Sequence, residues 1–184
     1  MKYLKKYDIF LEEDEFDIKD TDAPDLKMSK EKMNSYKKWI SEYSGNTSKI
    51  DNIYKNFKDP KQIESELEKL LGKSDDERNP FLVEYAHSSK LKNDIENIRK
   101  ELLNDKLSLD DFQQELKMTK GEDETKLVSY KVSDIKNRIS DKSKKIVDLQ
   151  KNISDSEKAL KDKMSKIDKE MKDNIKKISS EDQK

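Results

Sequence analysis

The chain is expected to be all-α: an elongated helical bundle or long helical hairpin, ending in a coiled-coil-like C-terminal helix. Three observations predict this. Val132, Ile139, Ile146, Ile153, Leu160 and Ile167 recur at one unbroken seven-residue interval. An apolar repeat sustained that long without Gly or Pro marks a helix that lays one stripe against another helix. Charged residues make up 44% of the sequence and hydrophobic ones 31%, against roughly 25% and 45–50% in an average globular domain. Thin seams are therefore expected in place of a thick core. Finally, 184 residues contain three Gly and three Pro, which suits a few long helices.

Residues 1–13 read as an amphipathic helix, with Tyr3, Leu4, Tyr7, Phe10 and Leu11 on one face and Lys5, Lys6 and Asp8 on the other. Residues 14–28 read as an acidic linker. Lys19 alone opposes the carboxylates between Glu12 and Asp25, and a solvated, mobile tether is expected.

Residues 29–78 are expected to form a small helical head. Ser29 is a candidate N-cap, and Met33, Tyr36, Ile40 and Tyr43 make a helical stripe with Trp39 beside it. Ser44-Gly45-Asn46 should stop that helix, and Thr47 should restart one through Ile50, Ile53, Tyr54 and Phe57. Asp59-Pro60 opens a helix carrying Ile63, Leu67, Leu70 and Leu71, which Gly72 ends.

Residues 79–121 read as a helix plus a short corner helix. Asn79-Pro80 starts the first, whose stripe of Phe81, Leu82, Tyr85, Ala86, Leu91, Ile95, Ile98 and Leu102 reaches about Asn104. Ser108 should cap the second, with Leu109, Phe112 and Leu116, before Gly121. Residues 122–184 form the long heptad-patterned helix with a frayed end. Glu122, Asp123 and Glu124 sit at its positive N-terminus. Over 127–178 that helix would run roughly 75–80 Å.

The seam residues expected to pair are Val132, Ile135, Ile139, Ile146, Leu149, Ile153, Leu160, Met164, Ile167 and Met171. With Val132 as heptad position a, the d column mixes Ile135 and Leu149 with Lys142, Ser156, Lys163 and Glu170. That polarity is poor for a self-sufficient parallel dimer. Beyond Leu160 the apolar spacing stutters, so the seam should hold an antiparallel partner over its first half and be marginal over its second. Each buried a-position aliphatic contributes about 1.5–3 kcal/mol at most, while ordering costs about 1–2 kcal/mol per residue. The helix therefore needs a partner, from residues 80–104 or from a second copy.

Chemistry is sparsely represented. His87 is the single histidine and there is no cysteine, so neither a familiar zinc site nor a catalytic triad can be assembled. The three glycines fall at expected helix ends and form no phosphate loop. The acidic run lacks the spacing of a calcium loop. No catalytic, metal or cofactor residue and no small-molecule substrate is expected. Forty basic residues against 41 acidic ones leave no field to draw in nucleic acid. Trp39, Tyr36 and Tyr43 read as a packing face. No apolar run approaches the roughly 18 residues that span a bilayer, and the start makes a poor signal peptide. Expected partners are proteins, further copies of the chain among them.

The start of the chain, MKYLKKYDIFLEE, resembles the capsid-targeting sequence of internal head and prohead core proteins of large contractile-tailed bacteriophages. The matching positions are Met1, Lys2, Tyr7, Phe10, Leu11 and Glu13. The resemblance implies docking into an assembling prohead, with capsid or core proteins as partners, and a processing cut after the Leu11-Glu12-Glu13 triplet, although Asp14 stands where that family favours a small residue. It implies residence in the host cytoplasm during assembly or in the virion interior. The other reading of residues 1–13 is a helix that caps the bundle. A coiled-coil adaptor or assembly chaperone acting through the 127–178 stripe is the alternative function.

Overall fold

The computed structural model describes residues 15–72 and 78–181. Among these, 89% are helical, in four helices and no strand. They are α1 (Pro24–Asn56), α2 (Pro60–Leu71), α3 (Pro80–Met118) and α4 (Glu122–Glu181). The helices pack against one another as an all-α bundle. Two compact units result, Met1–Ser89 with Ser156–Lys184 and the continuous stretch Lys90–Asp155. The expected amphipathic helix at 1–13, with Tyr3, Leu4, Tyr7, Phe10, Leu11 and Glu13, lies outside the described residues.

Proline and its neighbours set three of the helix starts. Pro24, Pro60 and Pro80 each open a helix, where the missing N–H would have had no intrahelical partner and the fixed φ is already helical. Asp59 caps α2 by accepting the Lys61 N–H at 3.1 Å. Gly72 ends it at φ 96°, donating its N–H to the Glu68 carbonyl. That left-handed φ is one a side chain would resist.

Asn79 does two jobs. Its Oδ1 accepts the Phe81 N–H at 3.0 Å, capping α3, and its Nδ2 donates to the Trp39 carbonyl at 2.6 Å, tying that cap to α1.

Two expected helix breaks are absent. The helix α1 runs through Ser44-Gly45-Asn46 without interruption, and Ser29, expected as its cap, lies inside it with Oγ on the Asp25 carbonyl. Burial explains the continuity. Met33, Tyr36 and Ile40 before the glycine, and Ile50 and Tyr54 after it, are all buried. That outweighs the roughly 1 kcal/mol a mid-helix Gly costs.

Likewise α3 passes through 104–108 to Met118, so there is no corner helix and Ser108 caps nothing. The seam stripe runs Ile98, Leu102, Asp105, Leu109, Phe112, Leu116 at helical spacing. Its continuity was hidden because one member is an aspartate.

The acidic linker also needs correcting. Residues 24–28 already belong to α1, and residues 15–22 lie along that helix as a strap. The Asn34 side chain accepts the Phe16 N–H at 2.8 Å and donates to the Phe16 carbonyl at 3.0 Å. Asp22 pairs with Lys30 at 2.9 Å, both side chains under a tenth exposed. The Lys19 backbone N–H and the Lys30 ammonium hold the Asp22 carboxyl below its usual range. The Asp22–Lys30 pair and the two Asn34 bonds to Phe16 anchor a segment whose composition reads as solvated.

In the first unit one apolar cluster joins Leu26, Met33, Tyr36 and Ile40 of α1 to Phe81 of α3 and Met171 and Ile178 of α4. A second joins Ile50 and Tyr54 to Leu82 and Ala86, with α2 laid over it through Ile63, Leu67, Leu70 and Leu71. Tyr43 touches both clusters, edge-on to Phe81 and Tyr85 with ring centroids 6.2 and 5.9 Å apart. In the second unit Leu91, Ile95 and Ile98 of α3 and Val128, Val132 and Ile135 of α4 are buried.

Candidate pairing seam of the long helix

The proposed site is the stripe along α4, and the structure distributes its members unevenly. Val132, Ile135 and Met171 are buried. Ile139, Ile146, Leu149, Ile153, Leu160, Met164 and Ile167 are half-buried. The stretch beyond Leu160, expected to be marginal, is well covered: Leu160, Met164, Ile167, Met171, Ile175 and Ile178 all join the cluster built on α1. The partner missing from the sequence reading was α1 itself. Its Met33, Tyr36, Ile40, Tyr43 stripe was legible, but nothing local in the sequence pairs it with residues 160–178.

The d column explains how α4 chooses its neighbours. Each of its four polar members finds a polar partner within its own unit. In the second unit Lys142 donates to Asp105 at 2.7 Å and lies 3.1 Å from Glu101. Arg138 also bonds Asp105, whose side chain is 5% exposed. In the first unit Ser156 and Lys163, one heptad apart, both donate to Glu84, at 3.2 and 2.6 Å. Glu170 accepts the Tyr36 hydroxyl proton.

The electrostatics follow this geometry. The hydrogen bond to Asp105, then the one to Glu101, raises the Lys142 ammonium above its ordinary range. The Lys163 hydrogen bond holds Glu84 below the usual glutamate range. Burial, reinforced by Glu170, pushes the Tyr36 phenol up to about 12. A polar residue at a seam position is costly unless paired, and once paired it fixes register. The arrangement is built for recognition between helices of one chain.

Sequence reasoning missed Asp105, Glu84, Glu101 and Arg138 as seam residues. A signal existed: Asp105 is the acidic member of an otherwise apolar stripe on α3, and Lys142 is a basic member of the d column on α4. Among other candidates, His87 is exposed. Trp39 packs edge-on to Phe81 with ring centroids 6.4 Å apart. Among the described residues no helix is long and apolar enough to cross a membrane, and no group of three or more His, Cys, Asp or Glu could hold a metal ion. Compared with known proteins, the chain matches no family model, no curated protein and no solved structure.

Proposed function

We propose that this is a non-enzymatic bacteriophage structural or assembly protein, an internal head or prohead core component of scaffold type, recruited through residues 1–13. The observation that carries the reading is the pattern Met1, Lys2, Tyr7, Phe10, Leu11, Glu13 at the start of a heavily charged, all-helical chain. The burial of Val132, Ile135 and Met171 supports it against the adaptor alternative. A stripe already buried within the chain at these positions, and covered by α1 from Leu160 to Ile178, is less free to capture a partner. The protein would act in the host cytoplasm during assembly and inside the virion. Changing Phe10 and Leu11 to Asp should abolish incorporation into particles, and incorporation at the unmodified level would refute the recruitment role.

The adaptor reading keeps one specific support. Ile139, Ile146, Leu149 and Ile153 are only half-buried, and Val147 beside them is 62% exposed. If this stretch is the working surface, Ile139→Lys with Ile153→Lys abolishes partner capture while the Phe10 and Leu11 changes leave it intact.

A further inference from the structure

The strap over α1 is held as a bound peptide is held. Asn34 grips it through both backbone groups of Phe16, at 2.8 and 3.0 Å, a contact that reads extended main chain whatever the side chain. Specificity comes from two anchors six residues apart. The Phe16 ring packs against the apolar cluster of the first unit and lies 4.4 Å beneath the Lys37 ammonium. Asp22 meets Lys30 in a pair from which water is largely excluded. Between the anchors residues 17–21 are exposed, and Ile18, the one large apolar side chain among them, is 42% exposed. The strap has no helix or strand bonding of its own; one turn, closed by the Asp22 N–H on the Lys19 carbonyl at 3.0 Å, links it to α1.

We propose that Lys30, Asn34 and Lys37 form a docking site on α1 for an extended acidic peptide carrying an aromatic residue and, six positions on, a carboxylate. Residues 15–22 are its resident occupant. A partner segment of the same chemistry competes for the site, and its entry releases the chain ahead of α1 from the helix. Charge complementarity selects the partner: Lys30 pairs with Asp22 and Lys37 lies over Phe16, in a segment that also bears Glu15, Asp17 and Asp20. The resident holds an advantage because its tether gives it an effective concentration on the order of millimolar. A competitor must therefore be abundant, or presented at high local density. This inference does not depend on how residues 1–13 are used.

The test titrates isotope-labelled full-length chain with a synthetic peptide of residues 15–22, followed by amide chemical shifts. Phe16→Ala with Asp22→Ala vacates the site, and the vacated chain should bind the peptide at least about tenfold more tightly than the unmodified chain, since the competing occupant is gone. The shifts should centre on residues 30–37 and disappear when Asn34→Ala is added. If the double change disturbs folding, judged by helix content and Trp39 fluorescence, Phe16→Ala alone gives a smaller gain of the same sign. No shift in the vacated chain at several millimolar peptide overturns the proposal. So does equal binding to vacated and unmodified chains, equal binding of a scrambled peptide, or binding that survives Asn34→Ala.

Discussion

Replacing Asn79 by Ala removes four bonds made by one buried side chain, and the two shortest have separable magnitudes. Asn79 is 1% exposed. Loss of its cap on the Phe81 N–H costs about 1 kcal/mol, within a range of roughly 0.5–2. Loss of the donor to the Trp39 carbonyl costs about 1 kcal/mol more. The expected total is about 2 kcal/mol. Asn79→Ser keeps a capping oxygen but cannot reach Trp39, so it should recover about half of that loss. Trp39 is the single tryptophan and contacts the Phe81 ring, so urea unfolding followed by its fluorescence reports on this unit. A loss below about 0.5 kcal/mol for Ala, or a Ser variant as damaged as Ala, would show that Asn79 does not join α3 to α1 as described.

Three further outcomes are expected. Gly45→Ala should stabilise the protein by about 0.5–1 kcal/mol in the same assay, because a Cβ there meets nothing within 4 Å; destabilisation would mean α1 breaks at Gly45 in solution. Asp105→Leu should leave thermal stability nearly unchanged, since it completes an apolar stripe and Arg138 can turn to water. Arg138→Met with Lys142→Met should lower stability clearly by leaving a buried carboxylate alone, and equal effects of the two changes would refute that asymmetry.

Stability should also fall at both extremes of pH. Burial first, then their bonds to Glu170 and Asp51, push Tyr36 and Tyr85 up from 10.0 to about 12. Above about pH 10 the unfolded chain therefore loses phenolic protons that the folded chain keeps, and stability declines as pH rises. Glu84 is lowered from 4.5, chiefly by Lys163, so its contribution is present above that value and lost as pH falls through the folded one. A urea midpoint that rises between about pH 9 and 11 would contradict the tyrosine environments.

What the sequence made legible is the part written in local chemistry. Helix type, the Asp59-Pro60 and Asn79-Pro80 starts, the Gly72 end and the acidic N-terminus of α4 all follow from backbone preferences of single residues, and the structure has these features where the sequence puts them. What it hid depends on distant partners. Gly45 is a helix breaker until Ile50 and Tyr54 are buried beyond it. Asp105 looks like a gap until Arg138 and Lys142 are known to reach it. The acidic strap looks solvated until Lys30 and Asn34 are placed beside it. In each case a tertiary contact reverses a local preference, and no window of neighbouring residues contains that contact. The seam residues themselves were identifiable by period; which helix covers each of them was not.

The a column of α4 is nearly monotonous, and monotony carries a hazard: a rod of repeating isoleucines fits its neighbour equally well after sliding by seven. The d column works as a barcode against that error, since no polar letter in it occurs in two adjacent heptads. Deleting the seven residues 157–163 would put Ile167 and Met171 in the places of Leu160 and Met164. It would also bring Glu170 opposite Glu84, carboxylate against carboxylate. A seven-residue length change in this helix should thus be punished by mismatch of identity as well as by lost apolar contact, and sequences that tolerate it should carry a compensating change at residue 84.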